Sequence, residues 1–161
     1  MLCAGLTLAL LQTAPAPSPD LDFWVGDWNL TAKSRTAPGK DEWQSFSGRN
    51  RINKAQKGQV VHENFTSNQF NGESWSVWNP RKKQWSQTWV DDQGSYLLFE
   101  GGKVGDTFVL TQTNIPAAAK FSMRMVFSNI TKKSFRWEWQ RQAEGSTTWE
   151  NMMEIDYTRR K

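Results

Sequence analysis

The single histidine, His62, limits the nucleophilic chemistry open to this 161-residue chain. A Ser-His-Asp arrangement would have to use it. The Gly-x-Ser-x-Gly elbow that presents a hydrolase serine does not occur in the sequence. One cysteine, Cys3, excludes a disulfide within the chain. With a single histidine it also excludes a zinc site built from several thiolates or imidazoles. Carboxylates remain. Glu63, Asp91, Glu100 and Glu138 are the candidates for the paired acids of glycoside hydrolysis, but their spacing sets no two of them at a working distance. Asp91-Asp92-Gln93-Gly94 reads as a turn, and Arg124 with Glu138 as a cross-strand surface pair worth under about 1 kcal/mol. No catalytic residue, metal site or cofactor is expected.

Tryptophan is the residue in excess. Ten Trp and nine Phe accompany only two Tyr, and aromatics make up 13% of the chain. A disordered chain is poor in such residues, so this one has a core. Twenty Lys and Arg against 16 Asp and Glu leave a net charge of +4. Arg49, Arg51, Lys54 and Lys57 cluster, as do Arg81, Lys82 and Lys83. Single-strand binders combine such charge with stacking aromatics. Here the balance is modest, and a solvated basic rim is the expectation, without a nucleic-acid partner. Attraction to an anionic envelope surface is a weaker alternative, and it would be screened by salt.

Residues 1–16 read as a secretory signal peptide. Leu2 to Leu11 run uncharged and apolar, and Ala14-Pro15-Ala16 supplies a small-residue end. The run is too short to span a bilayer, which needs about 20 residues. No Lys or Arg precedes it, so the natural leader is expected to begin further upstream. Cys3 lies before the apolar run and not after it, which argues against a lipoprotein anchor. A helix packed on the domain is the alternative. Residues 17–161 are then expected as one exported domain, periplasmic or extracellular. It would lack cysteine, and at this size it can bury a core without disulfides.

The elements that must position these residues read as β throughout. Short runs rich in Trp, Phe, Val and Thr alternate with turn signals. Strands are expected near 27–35, 42–54, 59–67, 73–79, 84–91, 95–101, 106–113, 120–128, 134–142 and 148–158. No gap holds a crossover helix, so neighbours pair antiparallel. About ten hairpin-linked strands remove their edges best by closing into an up-and-down barrel. A two-sheet sandwich is the rival architecture.

Turns suggest register. The loop over Asn79–Lys83 predicts Trp78 opposite Trp85, Ser76 opposite Gln87 and Ser74 opposite Trp89, all on one face. Gly94 suits a three-residue loop that aligns Trp89 with Leu97 and Gln87 with Phe99. Further on, the expected pairs are Met125 with Trp137 and Met123 with Trp139, with Arg124 opposite Glu138 on the other face. One face then gathers Trp78, Trp85, Gln87, Trp89, Phe99, Met125, Trp137 and Trp139, and these are the candidate ligand-binding residues. Phe121, Met123, Phe127, Phe135 and Leu97 share it, and Ser76 is a second polar group beside Gln87. An apolar lining with few polar groups is how small-molecule pockets are built, and a barrel wider than eight strands leaves room for one.

Gly26-x-Trp28, after the short turn Asp22-Phe23-Trp24-Val25, is similar to the opening motif of lipocalins and their calycin relatives. Gly48-Arg49-Asn50-Arg51-Ile52, Glu63-Asn64-Phe65, Ser76-Val77-Trp78-Asn79-Pro80, Gln84–Asp91, Thr148-Trp149 and Tyr157–Arg160 follow in order. Together they resemble a family of exported bacterial proteins of unknown function with a lipocalin-like barrel. The resemblance implies a calycin-type barrel with a short N-terminal turn or helix. It carries no established site residues. Haem-binding barrels of the nitrobindin type look similar in outline and need an axial histidine. His62 lies early, in the third expected strand, on a face with Val60 and Asn64 that alternation leaves unassigned. Gln142–Trp149 resembles a degraded Asp-box, which implies a hairpin. Asn29, Asn64 and Asn129 open glycosylation sequons in form, accidental in a bacterial protein.

The expected function is binding of a small apolar or aromatic molecule inside a Trp-lined barrel, without catalysis. A carbohydrate-binding module stacking sugars on outward Trp75 and Trp43, and an enzyme acting on a cell-envelope molecule, are the alternatives. The bland reading is a filled barrel. No integral membrane contact is expected, and oligomeric state is open.

Overall fold

The computed structural model describes residues 16–161. The expected signal peptide therefore lies outside the described residues, apart from Ala16. Alternating inward and outward side chains build β1 (Gly26–Arg35), β2 (Trp43–Ala55), β3 (Val60–Ser67), β4 (Asn71–Asn79) and β5 (Gln84–Asp91). They continue through β6 (Tyr96–Val104), β7 (Thr107–Gln112), β8 (Phe121–Ser128), β9 (Ser134–Ala143) and β10 (Glu150–Arg159). Every strand pairs antiparallel with its neighbours in sequence, and β1 pairs with β10, so the sheet is a closed barrel. Closure leaves no free edge. The up-and-down barrel expected from the spacing of the strands is the fold.

The register of β4, β5 and β6 follows the turn chemistry. Trp78 faces Trp85, Ser76 faces Gln87, Ser74 faces Trp89, and Gln87 faces Phe99. The β8–β9 pair departs from expectation. Met125 faces Trp139, and Arg124 faces Gln140 instead of Glu138. The turn closes between Thr131 and Ser134, whose backbone groups bond at 2.9 Å. The turn is centred between Lys132 and Lys133, later than expected, and Asn129, at φ 52, and Ile130 add one residue to β8 against Phe135 of β9, so the pairing lies two residues from the expected one. A shift of two keeps every side chain on its face. The expected inner set is therefore preserved, while the expected Arg124–Glu138 pair is replaced by a bond from Arg124 Nε to Gln140 Oε1 at 2.7 Å. The Gln142–Trp149 segment does form the β9–β10 hairpin.

One end of the barrel is plugged. A 3-10 turn, Pro19–Trp24, is capped by the Ser18 hydroxyl, which accepts from the Asp20 amide. It inserts Leu21 and Trp24, both buried. Phe23 meets Phe108, Phe127 and Phe135 edge-on, at centroid distances of 6.2, 5.7 and 5.5 Å. The Trp28 indole donates to the Trp24 carbonyl at 2.8 Å, and the Arg159 guanidinium lies 4.1 Å over the Trp28 ring. Gly26, at φ 142, has no room for a side chain because Arg159 crosses over it to reach the Val25 carbonyl. Plug, first strand and last strand are thus tied together at one end. The opposite end carries the β3–β4, β5–β6, β7–β8 and β9–β10 connections.

Candidate functional site

Because the plug fills one end, space remains toward the other. A cavity of about 290 Å³ opens between the β3–β4 loop, which contributes Phe70, and the β5–β6 loop, which contributes Gln93 and Ser95. Trp24 of the plug reaches it from below. Of the eight candidate residues, Gln87, Trp89, Phe99, Met125, Trp137 and Trp139 line this cavity. The chain brings them from β5, β6, β8 and β9 to one place because odd-numbered positions of these strands share the inner face. Trp137 and Trp139 stack with planes 5° apart, and Phe99 meets Trp139 edge-on at 5.7 Å.

Trp78 and Trp85 belong elsewhere. They pack on each other at 5.9 Å beside the β4–β5 turn, toward the plugged end, and Trp85 is 1% exposed. They share the inner face but not the depth of the cavity, so they are core.

Trp89 holds a wall of the site. Its indole donates to Asp91 Oδ2 at 2.9 Å, and its ring meets Phe65 at 5.9 Å and Phe70 at 6.4 Å. Gly72 on β4 makes this position possible, because a Cβ there would collide with the Trp89 indole. Burial works to push the Asp91 carboxyl up, but bonds from Trp89, Ser95 and Gln93 outweigh it and hold the group below its ordinary range. A carboxylate therefore stands at the mouth.

A second acid lies deeper and is the main surprise of the site. Glu63 on β3 lines the cavity and is 6% exposed. Asn50 Nδ2 donates to its Oε1 at 2.6 Å, and the Ser74 hydroxyl donates to its Oε2 at 2.6 Å. Asn50 Nδ2 also donates to the Tyr157 hydroxyl at 3.1 Å. Burial pushes Glu63 up to about 7, against the opposing pull of the Ser74 and Asn50 bonds and of the charge on His62. Burial, and then the Glu63 charge, push the Tyr157 phenol well above its ordinary value, so it is a neutral O–H. Gln87 is also buried, its amide donating to the Ser76 hydroxyl at 2.9 Å.

Strand phase assigns the remaining candidates to the outside. His62 faces outward, stacked on Trp75 at 4.9 Å with Nε2 3.0 Å from Glu73 Oε2. It cannot serve as an axial ligand to a group inside the barrel. Glu100 pairs with Lys82 and Glu138 with Arg136 on the outer surface. Of the four acids weighed for hydrolysis, only Glu63 and Asp91 share a cavity. Trp75 is 41% exposed. Trp43 is covered by Lys33 and Arg35, 4.4 and 4.5 Å from its ring.

A family model described as "Protein of unknown function (DUF1579)" matches residues 19–159, which is the plug and all ten strands. The chain belongs to that family. The DUF1579 barrel is similar in fold to the crystal structure of Rv2717c from M. tuberculosis, with a TM-score of 0.60 at 11% identity, covering 90% of this chain and 99% of that one. No curated protein matches the sequence.

Sequence reading placed neither Glu63, named only as a hydrolytic acid, nor Tyr157 in the lining, and it also missed Trp24, Phe65, Phe70, Met153 and Ile155. A signal for Glu63 existed. It stands in phase with Val61 and Phe65, so an acid interrupts an apolar face.

Proposed function

We propose that this DUF1579 protein is an exported, lipocalin-like binding protein that holds one small apolar or aromatic molecule in the barrel without catalysis. The observation that carries this reading is the aromatic cavity at the unplugged end, about 290 Å³ and walled by Phe65, Trp89, Phe99, Trp137 and Trp139. Its size lies near the lower end of the roughly 300–1,000 Å³ range of ligand pockets, and few polar groups interrupt its lining. Binding without turnover is supported by Glu63, whose two oxygens already accept from Asn50 and Ser74. Export rests on the leader sequence alone.

The carbohydrate alternative is weakened by the outer surface. Sugar stacking needs free indole faces, and Trp43 is covered by two cations while Trp75 has His62 against one face. The test of the main reading is tryptophan emission titrated with a panel of fatty acids, quinones and small aromatics. A saturable shift is expected, lost in Trp89→Ala with circular dichroism unchanged. A panel without any shift defeats the reading.

A further inference from the structure

The electrostatics of the cavity run against those of the whole protein. The chain carries +4 overall. The charged residues lining the cavity are Glu63 and Asp91, both acidic, and no Lys or Arg joins them. The outer-face cations are engaged at a distance, as Lys82 is with Glu100 and Arg136 is with Glu138 and Asp156. Glu63 has two hydrogen bonds from neutral donors, and Arg141, in phase with Trp139 on β9, lies over the Phe121 ring and does not line the cavity. A buried carboxylate of that kind either binds a proton or binds a cation. The surrounding walls are indole and phenyl faces, which attract cations through their quadrupoles.

We propose that the molecule this cavity takes is a small organic ammonium, an amine on an aromatic or compact apolar body, with the ammonium against Glu63 and the body among Trp89, Trp137 and Trp139. The proposal rests on the binding reading above and deepens it. Only the ionised carboxylate attracts the ammonium, so binding expels the proton that Glu63 holds below about pH 7. Affinity for the amine rises with pH through that window and levels off above it, while the amine itself stays protonated up to about pH 10. Asn50 on β2 and Ser74 on β4 face Glu63 and do not titrate. Tyr157 on β10 stays neutral. Asp91 at the end of β5 is ionised throughout. His62 and Glu73 lie behind the sheet and are the remaining ionisable neighbours.

The experiment compares three probes of one shape: 2-phenylethylamine, 2-phenylethanol and 3-phenylpropionate. Binding is read by calorimetry between about pH 5.5 and 8, in two buffers of different ionisation enthalpy. The expected order at the high end is amine, then alcohol, then acid, with the amine at least roughly tenfold tighter than the alcohol. That advantage should fall roughly tenfold per pH unit below pH 6, with proton release on amine binding alone. Glu63→Gln should erase the advantage of amine over alcohol, and His62→Asn should leave the pH dependence in place. The pH series on the unaltered protein carries the same test should Glu63→Gln fail to fold. Equal affinity for amine and alcohol at pH 8, or an amine advantage that survives Glu63→Gln or vanishes with His62→Asn, overturns the ammonium proposal and leaves the cavity reading standing. Failure of all three probes overturns the ammonium proposal; a silent emission panel is what defeats the cavity reading.

Discussion

Asn50 on β2 gives a side-chain N–H to Glu63 on β3 at 2.6 Å, and its own oxygen is buried without a partner. The amide is spent on orienting the acid, and through its second bond on Tyr157, rather than on satisfying itself. An acid so held is dry, directed and costly to ionise, which makes it the residue on which the chemistry of the cavity turns.

That cost sets a pH dependence of stability. Glu63 titrates near 7 in the folded protein against 4.5 for an ordinary carboxyl, so between those values the native state holds more protons than the unfolded chain. Stability contributed by this group therefore falls as pH rises through the window, by up to about 3 kcal/mol above pH 7. Glu63→Gln keeps an acceptor for Asn50 and can donate to Ser74. It should stabilise the protein at about pH 8 and change little at about pH 4.5, measured by urea unfolding at both. A variant no more stable than the parent at pH 8 contradicts the assignment.

Asn50→Ala should act in the opposite sense. It removes the donor to Glu63 Oε1 and leaves that oxygen buried, at a cost of about 1–3 kcal/mol. The loss should be greater at pH 8 than at pH 5, because an ionised acid misses the bond more. Equal losses at both would mean that only packing was removed.

Gly72→Ala probes the wall. The added methyl collides with the Trp89 ring, and overpacking costs about 1–3 kcal/mol. The displaced indole should lose its bond to Asp91, so the emission of Trp89 should shift red and ligand affinity should drop. Unchanged emission and unchanged affinity would show that Trp89 sits elsewhere.

Trp85 and Trp89 should separate core from site. Trp85→Ala empties a fully buried position and should cost about 3–5 kcal/mol, with affinity preserved in the folded fraction. Trp89→Ala, at the half-buried cavity wall, should cost less stability and most of the binding. Parallel losses in the two variants would erase the distinction in depth.

Much of the barrel was legible before folding. Ten runs with hairpin turns place ten strands, and the turns at Asn79–Lys83 and Asp91–Gly94 predict their registers correctly because each loop lacks an extra residue. The β8–β9 register fails because the turn centres between Lys132 and Lys133 and because a positive φ at Asn129 admits one residue that composition does not announce. Six of eight candidate lining residues do meet in one cavity, and two do not. Alternation tells which residues share a face; it is silent on how far along the barrel axis each one lies.

Sequence alone determined the class of fold, the shared faces and the indole-rich interior, because these depend on period and on local turn geometry. Tertiary structure decided which face of β3 points inward, and so put His62 outside and Glu63 inside. It also decided that the aromatic cavity lies on the far side of the plug, toward the opposite end. Above all it made Glu63 what it is. Its donors come from β2 and β4 and its phenolic neighbour from β10, and Asn50 and Tyr157 stand 107 residues apart in the chain. Desolvation belongs to the closed barrel, and no spacing of residues along a strand encodes it.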